Sequence, residues 1–277
     1  MNEPSRPDAG LLARLERYYD AVPRRRARVE DVGPFTLFVA QSGWPYYARP
    51  RLGETGHATN DDVRRLVQHQ QELEVPQTLE WVDENTPGLV DIASEAGMAV
   101  ELCPLMVLDG EPRGPIGTAR MLAAEEGEQI RLSQAAVSVS FAHAGTDTGD
   151  PGIVERDALA TTRFASVSVD LGARIAAGEF AVAAVYPASA PQLGPVGGGG
   201  YSPLDGIAEI TGVGVLPAFR RQGFGAQLSR VLSEDALSHG VRTVFCSAQS
   251  EAVARVYAGV GFRRVGTACI ANGTSAR

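Results

Sequence analysis

The stretch Arg220-Arg221-Gln222-Gly223-Phe224-Gly225-Ala226 carries the clearest chemical signal in the sequence. A strand pattern, 207–216, runs into Pro217. A helical pattern follows from about Gly223 to His239, with Phe224, Leu228, Val231, Leu232 and Ala236 on one face. The start of a helix leaves its first N–H groups without intrahelical partners and carries a partial positive charge. Gly223 and Gly225 let an anion approach that backbone, and Arg220 and Arg221 add fixed charge. This is the chemistry of a pyrophosphate seat. Two other phosphate motifs are excluded. There is no Gly-Lys-Ser or Gly-Lys-Thr, and the G-x-G lacks the third glycine and the following acidic residue of a dinucleotide fold. On the motif alone, a tight strand-to-helix turn with its arginines in water competes with the phosphate reading.

The elements around the loop follow from periodicity. Upstream, 127–143 reads as a helix (Ile130, Leu132, Ala136, Val137, Phe141), 144–152 as a loop, 157–177 as a second helix and 180–186 as a strand. The run Gly197-Gly198-Gly199-Gly200 has two readings: a flexible linker, or a strand whose missing side chains allow close approach of backbone or ligand. Downstream, 243–247 reads as a strand, 250–260 as a helix and 262–271 as a strand. Strand alternation places Glu209, Thr211, Val213 and Val215 on one face.

These residues resemble the GNAT superfamily of N-acetyltransferases. Its signature is Arg or Gln, two residues, Gly, one residue, then Gly or Ala; Arg220, Gly223 and Gly225 fill it. The alternation of Val213 and Val215 before Pro217 agrees, as does Tyr257-Ala-Gly-Val-Gly261-Phe262 at the end of the following helix. The resemblance covers 180–271 well and 118–177 by order of elements. It favours the strand reading of the glycine run. It implies an α/β fold with a mixed sheet, in which one strand splays from its neighbour. Val213, Gly214 and Val215 would then pair with the pantetheine arm of acetyl-CoA, and the loop 220–226 would hold its pyrophosphate. It further implies direct attack of an amine on the thioester, Glu209 as base (fourteen positions before Gly223), a backbone N–H near Val215 on the carbonyl, and Tyr257 as acid for the leaving thiolate. The family often has Asn seven positions before that tyrosine; this chain has Ser250. A solvated or salt-bridged Glu209, an ordered water as base, and a core Tyr257 are the structural alternatives. The functional alternative is an acyl-CoA sensor of the same fold without turnover.

The N-terminal part is expected to form its own α/β region over 1–110, with 118–277 as the acetyltransferase domain and 109–117 as linker. Helices at 11–22, 60–73 (with Asn60 as cap) and 87–96 alternate with strands at 35–40, 78–82 and 98–108. That order echoes 207–271, but the loop before Asn60 carries acidic Glu54 and no arginine–glycine pattern. A degenerate GNAT-like half that does not hold CoA is the expectation. The basic cluster Arg24, Arg25, Arg26, Arg28 reads as a solvated helix end.

Bulk composition narrows the function classes. The chain has 277 residues, 44% hydrophobic and 21% charged, which is ordinary for a globular protein of one large or two modest domains. A formal charge of −8 argues against nucleic-acid and anionic-membrane partners. Cys103, Cys246 and Cys269 are dispersed, and neither they nor His57, His69, His143 and His239 show metal-ligand spacing, so no metal is expected. The N-terminus lacks a leader pattern and no run is long enough to span a membrane, which points to the cytoplasm. The acceptor is expected to be a small-molecule or protein amine, and a homodimer is left open.

Overall fold

The computed structural model describes residues 8–41, 45–53 and 58–273, without the side chains of 165–168. Glu54 lies outside the described residues. Two units emerge: Met1–Leu105 together with Val265–Arg277, and Met106–Arg264.

The second unit is built on the strand order β10-β9-β8-β7-β6. These strands are β6 (Arg120–Met121), β7 (Ala181–Val185), β8 (Gly197–Leu204), β9 (Ile207–Val215) and β10 (Thr243–Ser247). The β6–β7, β7–β8 and β8–β9 pairs are antiparallel, and β9–β10 is parallel. Helices α4 (Gly127–Ala142), α5 (Ile153–Thr162), α6 (Ala165–Ala176), α7 (Phe224–Ser238) and α8 (Glu251–Val260) complete the unit.

The glycine run is a strand, and its neighbours show why. A Cβ on Gly198 would lie 2.0 Å from Ser133 Oγ of α4; one on Gly199, on the opposite face, would lie 3.2 Å from Leu232 of α7. A Cβ on Gly200 would meet Ala181 O at 2.5 Å. Helix α4 therefore sits closer to β8 than a side chain at Gly198 would permit without a shift of Ser133, and α7 leaves only a tight fit at Gly199. The buried face of α4 is correspondingly small: Ile130, Ser133, Ala135, Ala136 and Val139. Phe141, part of the expected apolar pattern, is 51% exposed. The core between sheet and α7–α8 includes Tyr201, Ile210, Leu228, Leu232, Val244, Cys246 and Tyr257.

The single helix expected over 157–177 is two helices, α5 and α6. No glycine or proline marks the break. Phe164 turns into a small core with Ala135 and Ala160. Thr161 and Thr162 return their hydroxyls to the carbonyls of Asp157 and Ala158, which weakens the helix end.

The first unit holds α1 (Ala9–Arg24), β1 (Ala27–Val32), β2 (Phe35–Ala40), β3 (Arg49–Pro50), α2 (Asn60–Glu72), β4 (Thr78–Val82), α3 (Leu89–Glu95) and β5 (Met98–Leu108) as far as Leu105. Strands β1, β2 and β3 form an antiparallel sheet. Ala48, just before β3, bridges Leu79 of β4 in parallel. Strand β11 (Phe262–Gly273) pairs antiparallel with β4. The crossover from β3 through α2 to parallel β4 thus repeats the crossover from β9 through α7 to parallel β10. Two strands were not anticipated. β1 begins within the arginine cluster, where Arg28 pairs with Glu30, while Arg24 pairs with Asp20 on α1. β3 is two residues long, below what periodicity can register.

Candidate functional site

Strands β9 and β10 pair at three positions: Ile207 with Thr243, Ala208 with Val244, and Glu209 with Phe245. Beyond Glu209, β9 continues to Val215 and β10 to Ser247 without further pairing to each other among the described residues. On its other edge β9 stays paired with β8 up to Val215 opposite Gly197. The β9 backbone groups that face β10 past Glu209 therefore line an opening. A bulge marks it: Gly212 is left-handed (φ +64), and the register slips between Gly198 and Gly200.

The bulge corrects the expected alternation. Tyr201, opposite Ile210, reaches Asp235 of α7 at 2.6 Å, so Ile210 shares the α7 face and Glu209 the opposite, α4 face. Past Gly212 the phase shifts. Val213 lies against Gly199 and Val215 against Gly197, both on the α7 face, while Gly214 backs onto Ser140 and Val137 of α4. Glu209 and Thr211 thus face one way, and Val213 and Val215 the other.

The chain then makes a 3-10 turn, Pro217–Phe219, and enters the arginine–glycine loop. Arg221 is left-handed (φ +65) and exposed, and Gln222 is exposed. Gly223 caps α7 at φ 79 and has no side chain to fill the helix start; a Cβ there would meet nothing within 4 Å. This is an open helix N-terminus, built as an anion seat requires. Phe224 is buried in the core, which leaves only its backbone at the helix start. Gly225 and Ala226 are half-buried in the first turn.

Arg220 departs from its expected role as a charge beside the seat. Its guanidinium donates to Val215 O (3.2 Å), Asp147 O (3.2 Å), Ser140 O (3.0 Å), Ser140 Oγ (3.3 Å) and His143 O (2.6 Å). It closes the C-terminal end of α4, where a cation is favoured by the exposed carbonyls. Burial pushes its pKa down. The Val215 N–H, expected to be open, donates to Ser140 Oγ at 3.2 Å.

Tyr257 of α8 is buried, 6% exposed, with Phe262 edge-on at 5.4 Å between ring centroids. Its hydroxyl bonds the side chain of Ser229, whose own hydroxyl donates to Gly225 O at 2.8 Å. Burial holds the phenol well above its ordinary pKa, reinforced by Cys246 and Glu209. Burial likewise raises the Cys246 thiol, again with a contribution from Glu209. Glu209, Cys246 and Tyr257 therefore lie within one another's electrostatic reach where the strands part.

Residues 176–262 match the model of the acetyltransferase (GNAT) family. These residues form a GNAT acetyltransferase domain. No curated protein matches the chain. Among solved structures it resembles a GCN5-related N-acetyltransferase from Kribbella flavida, with a TM-score of 0.65 at 21% identity over 96% of this chain and 97% of that one. It also resembles a functionally unknown conserved protein from Staphylococcus epidermidis ATCC 12228, with a TM-score of 0.54 at 16% identity over 89% and 92% of the two chains. The fold is the GNAT fold, and the likeness extends over both units.

Within the GNAT domain Ser250 caps α8, its Oγ accepting the Val253 N–H at 3.3 Å. The first unit repeats the crossover but closes the seat. α2 is capped by Thr59 rather than Asn60, in a capping box with Asp62. Asp62 accepts from Thr59 N at 3.0 Å and from Thr59 Oγ1 at 2.6 Å. A carboxylate already fills that helix start and would repel a phosphate.

Sequence reasoning missed Ser140, Ser229 and Gln227. Gln227 Oε1 accepts the Thr118 N–H at 3.1 Å and fixes the loop beside α7. Serines within a helical pattern read as weak helix formers, and nothing in their spacing marks them as reaching a strand edge. Among the described residues no helix is long and apolar enough to cross a membrane, and no group of three or more His, Cys, Asp or Glu is placed to hold a metal.

Proposed function

We propose that the GNAT domain transfers an acetyl group from acetyl-CoA to a small-molecule or protein amine by direct attack. The observation that carries this reading is the parting of β9 from β10 at Glu209, which leads along one backbone edge to the uncapped N-terminus of α7. Val213, Gly214 and Val215 would line the pantetheine arm, and the backbone from Gln222 to Ala226, with the Arg221 side chain, would hold the pyrophosphate. The cofactor, when bound, supplies a thioester-activated acyl carbon. Glu209 takes the proton that the attacking amine must lose. Tyr257, kept protonated by burial, holds the proton for the leaving sulfur. The Arg220 guanidinium, bonded to the end of α4, would position the loop.

One observation favours an acyl-CoA sensor without turnover: the Tyr257 hydroxyl is buried and already bonded to Ser229. Titration with acetyl-CoA, following heat of binding and thiol release over a panel of amines, with products read by mass spectrometry, separates the readings. Binding with amine-dependent release supports transfer. Binding without release for any amine supports the sensor. An absence of binding refutes both.

A further inference from the structure

The Val215 N–H points to the open edge of β9, because the next N–H, of Leu216, is spent on Val196 O of the β8 side at 2.9 Å. It is not unattended. Ser140, in the last turn of α4, puts its Oγ on that N–H at 3.2 Å. The helix comes this close because position 214 is glycine: a Cβ there would lie 2.9 Å from Ser140 Cβ. Arg220 holds the same turn in place through the Ser140 carbonyl and hydroxyl and the His143 carbonyl.

We infer that Ser140 gates the cofactor groove: its hydroxyl occupies the Val215 N–H that a pantetheine amide would take, and cofactor binding exchanges the one acceptor for the other. The inference rests on the acetyl-CoA reading above. A serine suits the task. Its hydroxyl leaves the N–H by rotation about one side-chain bond, with α4 still clamped by Arg220 to the carbonyls. The exchange lowers cofactor affinity by the worth of the bond that must be given up.

The test is the affinity of the full-length chain for CoA, by calorimetry, in wild type, Ser140→Ala and Ser140→Cys. Removing the acceptor frees the N–H, so Ser140→Ala binds CoA more tightly, by about threefold to tenfold for one hydrogen bond. Ser140→Cys keeps the volume with a weaker acceptor and falls between, which guards against a packing defect in the alanine variant. Equal or weaker binding in both variants, with wild type binding CoA, overturns the gate and leaves the acetyl-CoA reading standing. No binding by wild type overturns both.

Discussion

Arg220 grips Ser140 twice, donating from one guanidinium nitrogen to its carbonyl at 3.0 Å and its hydroxyl at 3.3 Å. The first arginine of the loop is thus a structural clamp, while its neighbour Arg221 stands exposed with a left-handed backbone. Arg220→Ala should cost about 2–3 kcal/mol, from charged hydrogen bonds lost at a partly buried end. Arg221→Ala should leave stability within about 0.5 kcal/mol and weaken CoA binding, with a shallower dependence on salt. Denaturant melts paired with CoA titrations at two salt concentrations check this. Equal loss of stability in both variants would remove the distinction.

Under the acetyl-transfer reading Glu209 acts as base and Tyr257 as acid. Glu209→Gln and Tyr257→Phe should each lower kcat by about 10²- to 10⁴-fold while CoA affinity stays within about twofold. Because burial holds the Tyr257 phenol above its ordinary value, no alkaline loss of rate from this group is expected below about pH 10. Rates of Tyr257→Phe equal to wild type would demote Tyr257 to a core residue.

The glycine strand makes a packing prediction. Gly198→Ala places a methyl 2.0 Å from Ser133 Oγ and 3.2 Å from Ala183 O, and should destabilise by about 1–3 kcal/mol. Ser133→Gly in the same chain should recover part of that loss by removing the clashing side chain. Additive losses in the double variant would show that backbone, not Ser133, sets the limit.

The α2 cap predicts a pH effect. Hydrogen bonds from Thr59 hold the Asp62 carboxyl below its ordinary pKa. A depressed carboxyl adds stability that is present above the unfolded value, about pH 4, and lost as pH falls through the folded value. Asp62→Asn should therefore cost about 1 kcal/mol at pH 7 and progressively less below about pH 4. Urea midpoints across pH 2.5–7 read this out; a gap independent of pH would contradict it.

Much of the second unit was legible because its cues are local. Gly223 and Gly225 before an amphipathic helix, Val213 and Val215 before Pro217, and Tyr257 before Gly261-Phe262 all lie within short stretches, and the corresponding elements form where periodicity places them. The break at Phe164 and the strands around Arg28 and Arg49 were not legible, because burial of one ring or pairing with a neighbouring strand decided them. The same holds for Ser140 and the capping role of Arg220, whose partners lie 75 and 80 residues away.

By itself the sequence determined the strand-to-helix turn, since glycine conformations and an uncapped helix start follow from residue type at fixed spacing. The tertiary structure decided which groups at that turn remain available. The Gly212 bulge turns Val213 and Val215 away from the face of Glu209, and α4, seated on Gly198 and Gly214, brings Ser140 to the Val215 N–H and draws Arg220 off the seat. These outcomes depend on how closely a helix approaches a sheet, a distance set by the side chains absent from two adjacent strands and those present on a helix far from them in the chain.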